Sequence, residues 1–385
     1  MEPVRRIYFP PVNLIGPGAI QEVGVEVEKL KLKKLLVVTD KVLRSVGVVD
    51  KVTSVLDKAS IKYVIFDDVK PNPTTRNVYD GLELFKAEGC DGLLSIGGGS
   101  PQDAAKAIGI LFTNGGEMPQ YEGVNKSKNK SVPIVAVNTT AGTASEVTIN
   151  YVITDEVRKI KMVIVDPNSL ASVAVNDPEL MINKPAGLTA ATGMDALTHA
   201  IEAYITKGAF RLSDTLALEA IKLIGESLED AVTDGKNLEA RSKMAWASYI
   251  AGLSFSNCGL GIVHSMAHQL GSEYDLPHGV ANALLLPFVE EFNSAVCPEK
   301  FGNIAAALGV KVEGLSVEEA RNAAIQALKD MAVKLRIPKL KETSFNPADL
   351  DKLAAQAMAD ACTGGNPREV TAEDIKAIFM NAYEA

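Results

Sequence analysis

The sequence predicts two unlike halves: an α/β half built on a largely parallel β-sheet, then an all-helical half. Three observations carry that expectation. Val-, Ile- and Leu-rich runs of four to eight residues recur through the first half and end in polar or turn-forming residues. Stretches with apolar residues at helical spacing separate them. Past about residue 166 the β-branched runs become scarce and the chain turns Ala-, Leu- and Glu-rich.

Taken in order, the strands are KKLLVVTD (33–40), IKYVIF (61–66), DGLLSIGG (91–98) and VPIVAVN (132–138), with helices over 41–58, 74–89 and 101–113 between them. Strand, helix and strand at this pitch form right-handed βαβ units on a buried parallel sheet, whose ligands bind at the carboxyl ends of the strands. NYVITD (150–155) and KMVIVD (161–166) read as a hairpin around a charged turn. The stretch 166–187, with three prolines and little periodicity, reads as an interdomain connection. Helices follow over 186–206, 213–231, 238–257, 261–273, 280–296, 316–335, 347–360 and 371–383. The expected division is an α/β domain over 1–185 and a helical domain over 186–385.

Composition narrows the function. The 385 residues carry a formal charge of −9 and are 47% hydrophobic, as in a two-domain soluble protein. The acidic balance argues against nucleic acid or an anionic membrane as the main partner. No 18-residue apolar run marks a transmembrane helix, and the N-terminus lacks the apolar stretch of a secretory signal, so a cytoplasmic location is expected. Four cysteines without CxxC spacing leave neither a zinc ribbon nor a disulfide framework. The four histidines (His199, His264, His268 and His278) all fall within one 80-residue stretch.

Two loops in the first half suit a dinucleotide. GGGSPQD (97–103) follows a strand and opens a helix; its glycines allow close backbone approach, Ser100 is placed to cap the helix, and the free N–H groups attract phosphate. A plain glycine turn explains the same residues on its own. TTAGTASE (139–146) leaves the end of another strand, with hydroxyls on Thr139, Thr140, Thr143 and Ser145 around Gly142. A Ser/Thr-rich turn capping a helix is its bland alternative. Asp40, at a strand end, is either an N-cap or an acceptor for ribose hydroxyls that would repel a 2′-phosphate and favour NAD over NADP.

The second half carries a ligand-like pattern. Asp195 and His199 in TGMDALTHAIEAY stand four residues apart, as do His264 and His268 in GLGIVHSMAHQLG, so each pair shares a helical face. His278 follows in the loop YDLPHGVAN, bracketed by Pro277 and Gly279. Three or four imidazoles and a carboxylate suit Fe(II) or Zn(II), with Mn(II) less favoured and Mg and Ca disfavoured.

Together, GGGSPQDAAK, TTAGTASEVT, DPELM, ATGMDALTHAIEAY and GLGIVHSMAHQLGSEYDLPHGVANALLLP resemble the iron-containing (group III) NAD-dependent alcohol dehydrogenase family, from near residue 5 to CTGGNPREVTAEDI (362–375). The members it looks most like are lactaldehyde (1,2-propanediol) reductases, 1,3-propanediol dehydrogenases and NAD-dependent methanol and ethanol dehydrogenases. The resemblance implies a Rossmann-like N-terminal domain and a helical C-terminal domain in a dehydroquinate synthase-like architecture, acting as a homodimer or larger homo-oligomer on a small alcohol or aldehyde. It implies metal ligation by Asp195, His199, His264 and His278, with His268 near the nicotinamide as proton relay. Gly97, Gly98, Gly99, Ser100 and Asp103 then line the pyrophosphate and nicotinamide, Thr139, Thr140, Thr143 and Lys161 surround the rest of the cofactor, and Asp40, Asn72 and Leu180 meet its adenosine part. Asn150, Phe255 and Cys362 match substrate-pocket positions, where ordinary polar or core packing is the competing explanation. The nearest rival is a metal- and NAD-dependent lyase of the dehydroquinate synthase type, whose anionic substrate calls for Lys and Arg where these histidine segments are neutral and apolar. A purely structural metal staple is the non-catalytic alternative, and it requires a closed coordination sphere.

Overall fold

The computed structural model describes residues 3–385. The chain forms two compact units: one runs to Thr140 and resumes over Ala144–Met181, and the other joins Ala141–Thr143 to Ile182–Ala385.

In the first unit the strands and helices are β1 (Val12–Ile15), α1 (Val23–Lys29), β2 (Lys34–Val38), α2 (Lys41–Ser45), α3 (Val48–Lys58), β3 (Lys62–Phe66), α4 (Thr75–Ala87), β4 (Gly92–Gly97), α5 (Gly99–Asn114), β5 (Gly123–Val124), β6 (Ile134–Asn138), β7 (Asn150–Asp155), β8 (Ile160–Val165) and β9 (Val173–Asn176). Six strands form one sheet in the order β1-β9-β6-β4-β2-β3, all parallel. The hairpin β7–β8 pairs antiparallel as expected, and β5 adds to it. Alternation splits the core: Leu36 and Val38 of β2 pack on one face with α4 and α5, whereas Leu35 and Val37 pack on the other with α1 and α3. The chain thus leaves β2 for β3 over one face and returns to β4 over the other. Their carboxyl ends flank a switch in strand order, the usual ligand crevice of such sheets.

Three expectations for this unit change. The helix expected over 41–58 is two helices, because Gly47 takes a left-handed φ of 76° between them. Strands β1 and β5 were not expected. The supposed connection 166–187 contains β9, a fully buried strand between β1 and β6, and its prolines at 167 and 178 start 3-10 turns on either side. Four residues between two proline turns are too short for alternation to register.

The second unit is helical: α6 (Ala186–Ile205), α7 (Arg211–Thr233), α8 (Leu238–Cys258), α9 (Ile262–Tyr274), α10 (His278–Ser294), α11 (Pro298–Ala307), α12 (Val317–Lys334), α13 (Leu350–Ala359) and α14 (Ala372–Glu384). The eight expected helices are present within a few residues of their ends, and α11 is additional. Helix α6 is buried on nearly every side, the condition of a helix apolar all round. Among the described residues no helix is long and apolar enough to cross a membrane.

Asp177, fully buried after β9, accepts the N–H groups of Gly18 and Ile20 at 3.2 Å and that of Glu179 at 3.0 Å. It ties the chain after β1 to the sheet. Asp177→Ala is expected to lower the thermal midpoint, since orphaning a buried donor costs about 1–3 kcal/mol. Asp177→Asn, which keeps one acceptor oxygen, is expected to recover part of the loss; equal midpoints for all three proteins would refute the tie.

Candidate metal centre

The loops singled out in the first unit follow neighbouring strands. Asp40 comes two residues after β2, Gly98 directly after β4 and Thr139 directly after β6, and Gly97 and Asn138 are register partners. A Cβ on Gly98 would lie 2.8 Å from Thr140 Cγ2, so only glycine lets the two loops approach this closely. The N-cap of α5 is Gly98, with no side-chain capping bond, and not Ser100, which lies inside the first turn. Without a hydroxyl cap, the first-turn N–H groups of Gly99 and Ser100 keep their capacity for an anion.

The other expected cofactor residues fall out unevenly. Asp40 is an N-cap, its Oδ1 accepting from Leu43 N at 2.8 Å. Lys161 Nζ donates to Asn72 Oδ1 at 2.9 Å, which brings two of the expected residues together. Leu180 is buried in the core with Val137 and Val175. Thr140 hydrogen-bonds to the Asn138 side chain, and Thr139 N donates to Gly97 O. Thr143 belongs to the short segment that goes with the second unit. Asp103 faces protein: Ser145 Oγ donates to Oδ1 at 2.6 Å and Val152 N to Oδ2 at 2.9 Å. Beside it the buried Lys106, missed in the sequence, donates to Ser145 Oγ, Thr148 O and Asn150 O. Burial lowers the Lys106 ammonium to about 8, with Asp103 and Glu146 pulling the other way.

In the second unit, Asp195 and His199 on α6, His264 on α9 and His278 come together, each with a donor atom within 4.8 Å of the others. His278 is the first residue of α10 and not a loop residue. Its approach depends on Gly279, where a Cβ would sit 2.6 Å from the Ala191 carbonyl of α6. Into the cluster points Asn282, one turn along α10. Its Nδ2 lies 2.7 Å from Asp195 Oδ1, 3.2 Å from His264 Nε2 and 3.1 Å from His278 Nε2. An amide nitrogen has two hydrogens and cannot serve three acceptors. His199 Nδ1 and Asn282 Oδ1 are buried without a hydrogen-bond partner. One cation coordinated by all four side chains removes this mismatch, so the donor set fits a divalent metal.

The protonation states fit too. Burial, then the neighbouring imidazoles, holds His264 well below the usual histidine value; burial also lowers His199, against the pull of Asp195. Both are therefore neutral near pH 7, the state that ligates. Burial lifts Asp195, and lifts Glu202 to about 7, where the N–H groups of Val263 and Gly261 oppose it. A cation at the convergence point offsets that lift. Glu202 accepts from Val263 N at 2.7 Å and hydrogen-bonds to His264 Nδ1, which leaves His264 Nε2 facing Asp195 and His278. Glu202 was missed in the sequence, although it lies three residues beyond His199 on the same helical face. Asn282, four residues beyond His278, was hidden by reading His278 as loop.

His268 stands apart from the cluster. Its Nδ1 is 2.8 Å from Asp360 Oδ2, and its ring stacks on His278 with centroids 5.5 Å apart. No sequence pattern pointed to Asp360. Phe255 stacks on His199 at 4.3 Å, and Cys362 adjoins His268 and Asp360. Asn150, in the first unit, opens β7, and its buried Oδ1 has no hydrogen-bond partner.

Comparison with known proteins places this geometry. Residues 10–178 match the family description "Iron-containing alcohol dehydrogenase", and residues 189–383 match "Fe-containing alcohol dehydrogenase family, C-terminal". The chain is 50% identical to a 1,3-propanediol dehydrogenase of Klebsiella pneumoniae over 377 residues, covering 97% of each chain. It is 46% identical to the NAD-dependent methanol dehydrogenase of Bacillus methanolicus, covering 98% of this chain and 100% of that one. The crystal structure of a 1,3-propanediol oxidoreductase superposes with a TM-score of 0.97 at 49% identity, covering 99% of this chain and 100% of the other. These relatives are dehydrogenases and oxidoreductases, and the lyase reading is set aside. With both halves matched and full-length relatives at such identity, this chain belongs to the iron-containing alcohol dehydrogenase family.

Proposed function

We propose that the chain is an NAD(H)-dependent, metal-requiring oxidoreductase that moves a hydride between the cofactor and a short-chain primary alcohol or aldehyde. The substrates to test are 1,3-propanediol, 1,2-propanediol with lactaldehyde, ethanol and methanol. The observation that carries this reading is the convergence of Asp195, His199, His264 and His278 on one point that the Asn282 amide only partly satisfies. These four side chains hold the cation, Fe(II) with Zn(II) as the alternative, because an N3O donor set suits either. A divalent ion held there supplies Lewis acidity, polarising a carbonyl toward hydride and lowering the pKa of the corresponding alcohol.

The protein's own groups do the rest. The first turn of α5, at Gly97, Gly98, Gly99 and Ser100, takes the pyrophosphate on its N–H groups, with Thr139, Thr140, Thr143 and Lys161 around the remaining cofactor. Asp40 has its second oxygen for the ribose; Asn72 and Leu180 hold the adenosine part. Asp103 supports this site through Ser145. Phe255 and Cys362 shape the substrate pocket in the helical unit, and Asn150 is the candidate substrate contact of the α/β unit. With Nδ1 held by Asp360, His268 presents Nε2 for the proton that the alcohol oxygen gains on reduction, through the cofactor ribose and water. A homo-oligomer is the proposed assembly, which light scattering measures.

The deciding experiment is metal analysis of the purified protein together with NADH oxidation against the matching aldehydes. His264→Ala is expected to lose metal and activity together, and full occupancy with full activity in that variant would sink the ligand assignment. His268→Ala is expected to keep the metal and lose roughly 10²–10⁴ in kcat. For Asp40→Gly the expected result is a relaxed preference for NADH over NADPH, through loss of 2′-phosphate repulsion; an unchanged ratio assigns Asp40 to capping alone. Glu202→Gln offers a poorer acceptor to His264 Nδ1 and is expected to weaken metal affinity about 10–100-fold. Wild-type affinity in a folded Glu202→Gln protein would show that the carboxylate does not orient His264.

A further inference from the structure

A second group of unlike donors lies beside the Asp195 cluster. One donor atom each from His268 on α9, Asp360 just beyond α13 and Cys362 two residues later lies within 4.8 Å of the other two. The three are held firmly. Asp360 Oδ1 accepts the backbone N–H of Cys362 at 2.9 Å, and Oδ2 meets His268 Nδ1 at 2.8 Å. The next residue, Thr363, donates its hydroxyl to Ala357 O at 2.6 Å and hydrogen-bonds with the Ser265 hydroxyl at 2.7 Å, clamping this loop against α9. His268 and Asp360 are almost fully buried, with side-chain exposures of 6% and 5%.

We propose that His268, Asp360 and Cys362 form a second, inhibitory site for a thiophilic divalent cation such as Zn²⁺ or Cd²⁺. An imidazole, a carboxylate and a thiolate with water in the fourth position make a tetrahedral set for such ions; sulfur and nitrogen donors select against Mg²⁺ and Ca²⁺. Binding is proton-balanced. Cys362 gives up its thiol proton to water and ligates as the thiolate, His268 ligates as the neutral imidazole in place of its hydrogen bond to Asp360, and no electron moves. Burial alone would lift the Asp360 carboxyl, but the nearby His268 and the hydrogen bonds it accepts hold it below the usual value, so it is already an anion. Burial, then the Asp360 and Glu202 charges, pushes the Cys362 thiol well up, so the metal must displace that proton and the site fills only when the ion is in excess. The His268 ring is 5.5 Å from that of His278 and 6.1 Å from that of His264, so a cation in the first cluster further weakens the second. Occupation removes His268 from proton transfer; that inhibitory consequence rests on the role proposed for His268 above, while the binding itself does not.

The test is titration of the metal-loaded enzyme with Cd²⁺, following bound cadmium by equilibrium dialysis, the thiolate-to-cadmium absorption band and the rate of NADH oxidation. The first cluster contains no sulfur, so metal exchange there produces no such band. The wild-type protein is expected to bind one further equivalent, develop the band and slow in step with it. Cys362→Ser, checked for its fold by circular dichroism, is expected to keep its first metal, lose the band and bind the second equivalent about tenfold or more weakly; Asp360→Asn is expected to weaken binding while keeping the band. A band that persists in Cys362→Ser, or no band in the wild type, overturns the site. Binding with the band but without slowing overturns its inhibitory role and with it the relay role of His268, while leaving the first cluster standing.

Discussion

The structure of the helical unit turns on placing one carboxylate and two imidazoles inside an apolar core, with a third imidazole at its margin. Buried polar groups cost free energy unless each finds a partner, and this cluster has more acceptors than the single Asn282 amide can serve. The surroundings accommodate that demand. Helix α6 is apolar around most of its circumference and so lies centrally, carrying Asp195, His199 and Glu202 into the interior. Gly279 allows α10 to meet the α6 backbone, which brings His278 and Asn282 to the same point. Glu202 fixes the His264 ring through Nδ1 and leaves the opposite nitrogen facing the other donors. Burial there keeps His199 and His264 in the neutral form, the state in which an imidazole can ligate.

The α/β unit solves a different problem by topology. A parallel sheet leaves its strand ends with open backbone groups on one edge, and the reversal of strand order between β2 and β4 parts the helices on that edge. Asp40 and the glycine loop stand on the two sides of that reversal. The glycine at 98 serves two ends at once, since it starts α5 without a side-chain cap and lets Thr140 close in from the next loop. Buried behind them, Lys106 gathers Ser145, Thr148 and Asn150, while Ser145 and Val152 occupy both oxygens of Asp103. This interior network shapes the second loop and fixes the Asp103 carboxylate beside it.

Where reading from sequence went astray, the cause was a local signal with two physical meanings. Ser100 has the composition of an N-cap, but Gly98 can enter the helix earlier because nothing on its Cα obstructs the neighbouring loop. Pro277 and Gly279 look like loop punctuation around His278, yet proline before a first turn is compatible with helix, and the glycine is required by packing against Ala191. Strand β9 was lost between two proline-led turns. Each error concerns the start or neighbourhood of an element, where tertiary contacts outweigh propensity.

The sequence by itself determined the fold class and the ligand-like spacing of the histidine segments. Alternating apolar runs and helical spacing are local properties, and a four-residue interval puts Asp195 beside His199 on one helical face in any context. Only the tertiary structure decided which side chains meet: His264 with Glu202 across 62 positions, His268 with Asp360 across 92, and Asp195 with Asn282 across 87. Such pairings arise when helices pack and buried polar groups must find partners, and no periodicity within one segment encodes the segment it will face. For that reason the ligand-like residues were legible and their orienting carboxylates were not.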